Sequence, residues 1–136
     1  EQYLYAASRA QTLRNVVKPV LDKGGIVISD RSVFSSMAYQ GFGRNLGIEK
    51  VLDINLEAVM DLWPEMVVFI DTDLDIALSR ARDQGGDKFE NMAKSFFEKV
   101  RDGYLQIAKQ YKDIFVIIDG NGTPDQVSER IWQRLL

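Results

Sequence analysis

Three short apolar runs, separated by longer segments with helical periodicity, are the strongest constraint on the fold of this chain. The runs lie within residues 26–29, 66–70 and 115–118, and an aspartate follows each of these segments: Asp30, Asp71 and Asp119. Short apolar runs bounded by turns are typical of buried strands, and strands connected through helices form parallel sheets with helices on both faces. We therefore predict an α/β fold with three parallel strands in this chain.

The segments between the runs have apolar residues at helical spacing. The first predicted helix spans residues 3–23, with Pro19 inside it and the pair Gly24-Gly25 at its end. Proline removes a backbone donor and should kink this helix, and the glycines should end it. Residues 48–62 form a helix with so many apolar positions that it lies either in the core or at a subunit interface. Further helices are predicted from about residue 73, over 93–108 and from Pro124.

Composition excludes several classes of function. With 136 residues, 46% of them hydrophobic, the chain is long enough for one domain spanning residues 1–136. A net charge of −3 argues against a nucleic-acid partner. The absence of cysteine and histidine excludes thiolate chemistry and histidine general-base catalysis. Because no apolar run approaches the roughly 18 residues of a membrane span, we expect a cytoplasmic protein without a membrane partner.

Polar residues follow the first apolar run and should meet at the carboxyl edge of the sheet, where open α/β sheets bind ligands. They are Asp30, Arg31, Ser36, Tyr39 and Gln40. The last three share one face if the segment is helical. The planar fork of Arg31 suits a phosphate. An ordinary ion pair between Asp30 and Arg31 is the alternative interpretation.

Two other groups of residues are candidates for binding. Tyr5 and Arg9 lie one helical turn apart, so an aromatic ring and a guanidinium project together. The alternative is a buried tyrosine beside a surface arginine. Arg80 and Arg82 precede a polar, glycine-containing segment over residues 83–88, which should be mobile. The alternative for these two arginines is a solvated helix end.

The residues around Asp30 also match a known motif. Asp30-Arg31 followed by Ser35-Ser36-Met37-Ala38-Tyr39-Gln40-Gly41 resembles the D-R-x-x-x-S-[ST]-x-A-Y-Q-G signature of thymidylate kinases. The resemblance covers nearly the whole chain, from Leu4-Tyr5-Ala6-Ala7-Ser8-Arg9-Ala10-Gln11 through Trp63-Pro64 to Gly103-Tyr104-Leu105. It implies a P-loop kinase fold and transfer of phosphate from ATP to dTMP.

The resemblance also implies roles for individual residues. Tyr5, at a position where the family usually has phenylalanine, would stack on thymine, and Arg9 would reach the base. Ser36 and Gln40 would hydrogen-bond the pyrimidine, and Tyr39 would lie under the sugar and exclude a ribose 2′-hydroxyl. Arg31 would bind the dTMP phosphate. Asp30 would lie near Mg²⁺ and contact it through water.

In the family a lid closes over ATP, and here it corresponds to residues 80–90. In one subclass of the family, basic residues of the lid stabilise the transferring phosphoryl group, which makes Arg80 and Arg82 the main candidates, followed by Lys88. Gln84 replaces an arginine of the usual lid pattern. The loop after the third run would border the adenine, and the family forms homodimers through helices near residues 48–62.

The chain contains no G-x-x-x-x-G-K-[ST] loop, which holds ATP phosphates in this fold. We therefore expect a longer native protein whose first strand pairs centrally, between residues 26–29 and 66–70, and an inactive chain without that region. Two alternatives stay open. One is another nucleoside or nucleotide kinase of the P-loop class, and the other is a non-catalytic nucleotide-binding fragment.

Overall fold

The structure is a computed structural model of the chain, and it describes residues 1–83 and 94–136. The chain divides into two compact units, Glu1–Pro64 and Glu65–Leu136, which we call the N-terminal and the C-terminal unit. The N-terminal unit is helical, and the C-terminal unit combines helices with a parallel sheet. The α/β class predicted from the sequence is therefore confirmed.

The N-terminal unit contains four α-helices and two π-helical segments. In chain order they are α1 (Gln2–Thr12), π1 (Leu13–Val17), α2 (Lys18–Leu21), α3 (Val33–Ser36), π2 (Met37–Gly43) and α4 (Ile48–Val59). Its buried side chains come from α1, which contributes Gln2 and Ala6, and from the segments α3, π2 and α4, which surround Phe34, Met37 and Val51. The ring of Trp63 closes this core, with its centroid 5.9 Å from that of Phe34.

The first predicted helix is present from Gln2 to Leu21, and π1 interrupts its α-helical pattern just before Pro19. Proline has no N–H, and its ring crowds the carbonyl four residues earlier, so the wider turns of π1 relieve that crowding. Gly24, with φ +76°, ends the helix: its N–H donates to Leu21 O, and the N–H of Gly25 donates to Val20 O. These two hydrogen bonds form a Schellman motif, and the helix ends at the glycine pair as predicted.

The prediction of a buried strand at residues 26–29 is wrong. The segment has no regular structure, and Ile26 and Ile28 are 89% and 94% exposed. A strand exists only where a neighbouring chain segment pairs with its backbone N–H and C=O groups. Among the described residues, only β1 and β2 pair in a sheet, so this apolar run has no ladder partner.

In the described residues of the C-terminal unit there are a two-stranded parallel sheet and three helices. Its elements are β1 (Val67–Asp71), α5 (Leu74–Asp83), α6 (Lys94–Gln110), β2 (Phe115–Asp119) and α7 (Pro124–Leu135). The register pairs Val67 with Phe115 and Asp71 with Asp119, so both strands end at an aspartate on the same edge. Each of these elements was predicted, with boundaries one or two residues different. The helix predicted over residues 48–62 is also present but ends earlier, at Val59, where Met60 takes a positive φ of 52°.

Local interactions explain the elements of this unit. Thr123 caps α7 with a capping box, because its hydroxyl accepts from Gln126 N while the Gln126 side chain accepts from Thr123 N. Tyr104 of α6 stacks on Phe69 of β1, with ring centroids 4.8 Å apart. Within the described part of the chain, no helix is both long and apolar enough to cross a membrane.

Candidate functional site

The guanidinium of Arg9 is the centre of a polar cluster inside the N-terminal unit. It donates from NH2 to Ser32 O at 3.2 Å and to Ser36 Oγ at 3.0 Å, and from NH1 to Asn55 Oδ1. Burial removes water from the guanidinium and lowers the pKa of Arg9 from its ordinary value. The cluster joins α1, the start of α3 and α4 around one positive charge.

Arg31 lies beside this cluster in a backbone conformation that is rare for residues other than glycine, with φ 70°. The Ser29 hydroxyl donates to Arg31 O at 2.7 Å and supports the turn. Ser32 follows as the N-cap of α3, where its hydroxyl accepts from Phe34 N. As a result of the turn and the cap, the Arg31 side chain is exposed, whereas Val33, two residues later, is buried in the core.

The Arg31 guanidinium lies over the ring of Tyr39, 5.2 Å from its centroid. This distance is typical of a cation–π contact. The alternative ion pair is not present, because Asp30 is exposed and its side chain makes no ion pair within the described residues. Arg31 is also exposed, so its fork is accessible to an anion.

The structure contradicts the alternative interpretation of the first helix, a buried tyrosine beside a surface arginine. Tyr5 is 49% exposed, and Arg9 is partly buried. Ser36 is 4% exposed and touches Arg9, whereas Gln40 donates from Nε2 to Glu1 Oε1 at 3.0 Å. Tyr5 and Arg31 are therefore exposed, Arg9 and Ser36 contact each other in the interior, and the Gln40 amide donates to Glu1.

In the C-terminal unit, two arginines hold the loop that follows β2. Arg80 of α5 donates to Gly120 O at 3.2 Å and to Gly122 O at 2.6 Å. Arg130 of α7 donates to Asp119 O at 2.8 Å and to Asn121 O. Four consecutive carbonyl groups thus accept from two guanidinium groups, so the loop backbone is fixed from both sides.

Other predicted residues lie outside these contacts. The Arg82 side chain and Lys88 lie outside the described residues, as does most of the predicted lid. The described residues contain no group of three or more acidic side chains that could hold a metal ion. A cavity of about 490 Å³ is lined by Gly41, Phe42 and Asn45 with the start of α4, and none of the predicted site residues lines it.

Sequence reasoning missed Asn55 and Arg130. Asn55 occupies the buried face of α4, and a polar residue among apolar positions at helical spacing was the available signal. Arg130 had no such signal, because an arginine on a surface helix is common and its partners are backbone carbonyl groups. Arg101 was also missed; it forms a bidentate ion pair with Asp71 at 2.6 and 2.9 Å.

A family model described as thymidylate kinase matches residues 1–131 of this chain. Three similar curated proteins have the same name. The protein from Fervidobacterium nodosum is 43% identical over 96% of this chain and 66% of its own length. The protein from Lactobacillus acidophilus is 42% identical over 99% of this chain and 64% of its own length. The protein from Thermosynechococcus vestitus is 40% identical over 99% of this chain and 56% of its own length. The chain therefore spans between 56% and 66% of the length of these relatives.

Proposed function

The chain belongs to the thymidylate kinase family, and on that premise we propose that the intact protein transfers the γ-phosphate of ATP to dTMP, giving dTDP and ADP. The observation that supports this most is a pair of contacts in the N-terminal unit, Arg9 with Ser36 and Arg31 with Tyr39. The two contacts are close along the chain, because Ser32, whose carbonyl oxygen accepts from Arg9, directly follows Arg31. The four residues of these two contacts are among those through which the family motif would bind dTMP. We also propose that residues 1–136 belong to one kinase domain of the P-loop type, with helices on both faces of its sheet.

The dTMP site would consist of Tyr5, Arg9, Arg31, Ser36, Tyr39 and Gln40. Arg9 and Ser36 would bind the base: the Ser36 hydroxyl already accepts from Arg9, so its own proton can be donated to a pyrimidine carbonyl. The exposed ring of Tyr5 would stack on the thymine. The carbonyl oxygen of the Gln40 amide is available for the base, since Nε2 donates to Glu1.

Arg31 would bind the phosphate of dTMP during transfer. Its fork can donate two hydrogen bonds to phosphate oxygens, and the Tyr39 ring under the guanidinium limits its orientation. Tyr39 would then occupy the space that a ribose 2′-hydroxyl needs, which selects deoxyribose by exclusion. Asp30, exposed beside Arg31, would be the acidic partner near the reacting phosphates.

ATP and Mg²⁺ are part of the proposed reaction. The described residues provide no complete metal site, so Asp30 fits only as a partner that reaches Mg²⁺ through water. When bound, Mg²⁺ neutralises charge on the ATP phosphates. Arg80, Arg82 and Lys88 are proposed as ATP and lid residues, and the contacts of Arg80 join α5 to the loop that would border the adenine.

We propose a homodimer as the native assembly. Large apolar side chains are exposed on α1 and α4, including Leu4 at 76% and Leu56 at 49%. These two helices pack on one another within the N-terminal unit, so a partner that covers one of them can cover part of the other. Exposed apolar surface of this kind is typical of association sites.

The proposed function is tested by assaying the intact protein with ATP and Mg²⁺ against four acceptors: dTMP, dCMP, AMP and thymidine. We expect dTMP to have the highest kcat/KM. Another nucleoside or nucleotide kinase would prefer a different acceptor. A non-catalytic nucleotide-binding protein would transfer phosphate to none of the four, and either result would refute the proposal.

A further inference from the structure

Asn55 is the one fully buried polar side chain on α4, with no accessible surface in the described structure. Its neighbours on the same face, Val51, Ala58 and Val59, are apolar and buried. Burying an amide without hydrogen-bond partners is strongly unfavourable. The position therefore requires partners for both ends of the amide.

Both ends of the Asn55 amide have partners: a backbone carbonyl oxygen for the NH₂ group and a guanidinium for the oxygen. Nδ2 donates to Val51 O at 2.7 Å, one turn earlier on the same helix. Oδ1 accepts from Arg9 NH1. Because the carbonyl oxygen of Val51 accepts only from the NH₂ end, the amide cannot flip, and its oxygen is directed at Arg9.

This amide helps to fix the orientation of the Arg9 guanidinium. Arg9 has five N–H donors, and three are occupied by Ser32, Ser36 and Asn55. Within the described residues, the two others remain for a ligand. A guanidinium with three fixed hydrogen bonds is held rigidly, so the direction of its remaining donors depends on Asn55.

We propose that Asn55 is a positioning residue for recognition of the nucleobase: it directs the remaining donors of Arg9 toward a carbonyl oxygen of the dTMP base. This inference rests on the proposed function, in which Arg9 reaches the base. Asn55 itself does not touch substrate. Asn55 affects substrate binding through Arg9. A residue that only holds α1 against α4 would have no such effect on the Arg9 donors.

The test is a double-mutant cycle in the intact protein, with KM for dTMP, KM for ATP and kcat as readouts. Asn55→Ala should raise KM for dTMP about ten- to hundredfold, as expected for a lost hydrogen bond to a charged group, and leave KM for ATP unchanged. In an Arg9→Ala background, Asn55→Ala should have no further effect on KM for dTMP. Asn55→Asp keeps an acceptor oxygen for Arg9 but loses the donor to Val51 O, so it should restore part of the affinity.

Asn55→Thr is the second variant if Asn55→Ala does not fold. Its hydroxyl can still donate to Val51 O but is too short to replace Oδ1 at Arg9, so it should reproduce the KM increase. Equal effects of the Asn55 substitutions with and without Arg9, or equal changes in both KM values, would overturn the proposal. If Arg9→Ala alone leaves KM for dTMP unchanged, Arg9 does not bind the base and the inference about Asn55 fails. A wild-type protein that is inactive on dTMP would instead refute the proposed function.

Discussion

At the scale of single residues, Arg31 combines backbone strain with an exposed charge. A non-glycine residue with φ near 70° has a conformational cost of about 1–3 kcal/mol, and such strain persists where the surrounding structure enforces it. Here the Ser29 hydroxyl and the Ser32 cap enforce it. The strained turn places the guanidinium over Tyr39 instead of beside Asp30, and this supports a role for Arg31 in binding an anion.

Tyr39 should control the choice between deoxyribose and ribose. Tyr39→Ala removes the ring that would collide with a 2′-hydroxyl, so the ratio of kcat/KM for dTMP to kcat/KM for its ribose analogue should fall about tenfold or more. Tyr39→Phe keeps the ring and should keep the ratio. Steady-state kinetics with both nucleotides measures it, and an unchanged ratio in Tyr39→Ala would show that another group excludes ribose.

At the scale of elements, the loop after β2 packs closely against the end of β1. Gly120 donates its N–H to Asp71 O at 2.8 Å, and its carbonyl accepts from Arg80. A Cβ atom on Gly120 would collide with Thr72 Oγ1 and lie 2.7 Å from Ile70 Cγ2. Only glycine fits between the end of β1 and this loop.

Gly120→Ala should therefore destabilise the protein by about 1–3 kcal/mol, the usual cost of overpacking. Gly41→Ala is the matched control, because the nearest atom to a new Cβ there is 3.4 Å away and lies in ordinary contact. Urea unfolding of both variants gives the free energies of unfolding. Equal stability of Gly120→Ala and wild type would mean that the loop moves away from β1 at little cost.

The sequence predicted the elements of the C-terminal unit well because their signals are local. Apolar periodicity located β1, β2 and α6, and the pair Thr123-Pro124 marked the start of α7. Residues 26–29 show the limit of such signals: three apolar side chains favour a strand, but pairing depends on a segment distant in sequence. The π-helical turns of π1 and π2 were not predicted, since they differ from α-helix only in hydrogen-bond register.

Only part of the candidate site could be predicted, because several of its contacts join residues that are distant in sequence. Motif spacing identified Arg9, Arg31, Ser36 and Tyr39, and in the structure Arg9 contacts Ser36 and Arg31 contacts Tyr39. It could not identify Asn55, because its partner Arg9 lies 46 positions earlier in the chain. Nor could spacing show that Arg80 donates to the carbonyl groups of a loop 40 residues away.

At the scale of the whole molecule, the apolar surface on α1 and α4 predicts association. Leu56→Arg should convert the proposed dimer to a monomer, because a charge would have to be buried in the interface. Glu57→Arg, at an exposed neighbouring position on α4, is the control and should stay dimeric. Sedimentation equilibrium at micromolar concentration measures the mass, and a wild-type protein with the mass of one chain would contradict the homodimer.

The most direct test of the account is the specificity of phosphate transfer by the intact protein and by its Arg31→Ala variant. We predict that the wild type prefers dTMP over dCMP and AMP. We also predict that Arg31→Ala lowers kcat/KM for dTMP by about ten- to hundredfold or more, as expected for lost charge-assisted hydrogen bonds to the phosphate. A wild type without preference for dTMP, or an Arg31→Ala variant as active as the wild type, would contradict the assignment of this site to dTMP.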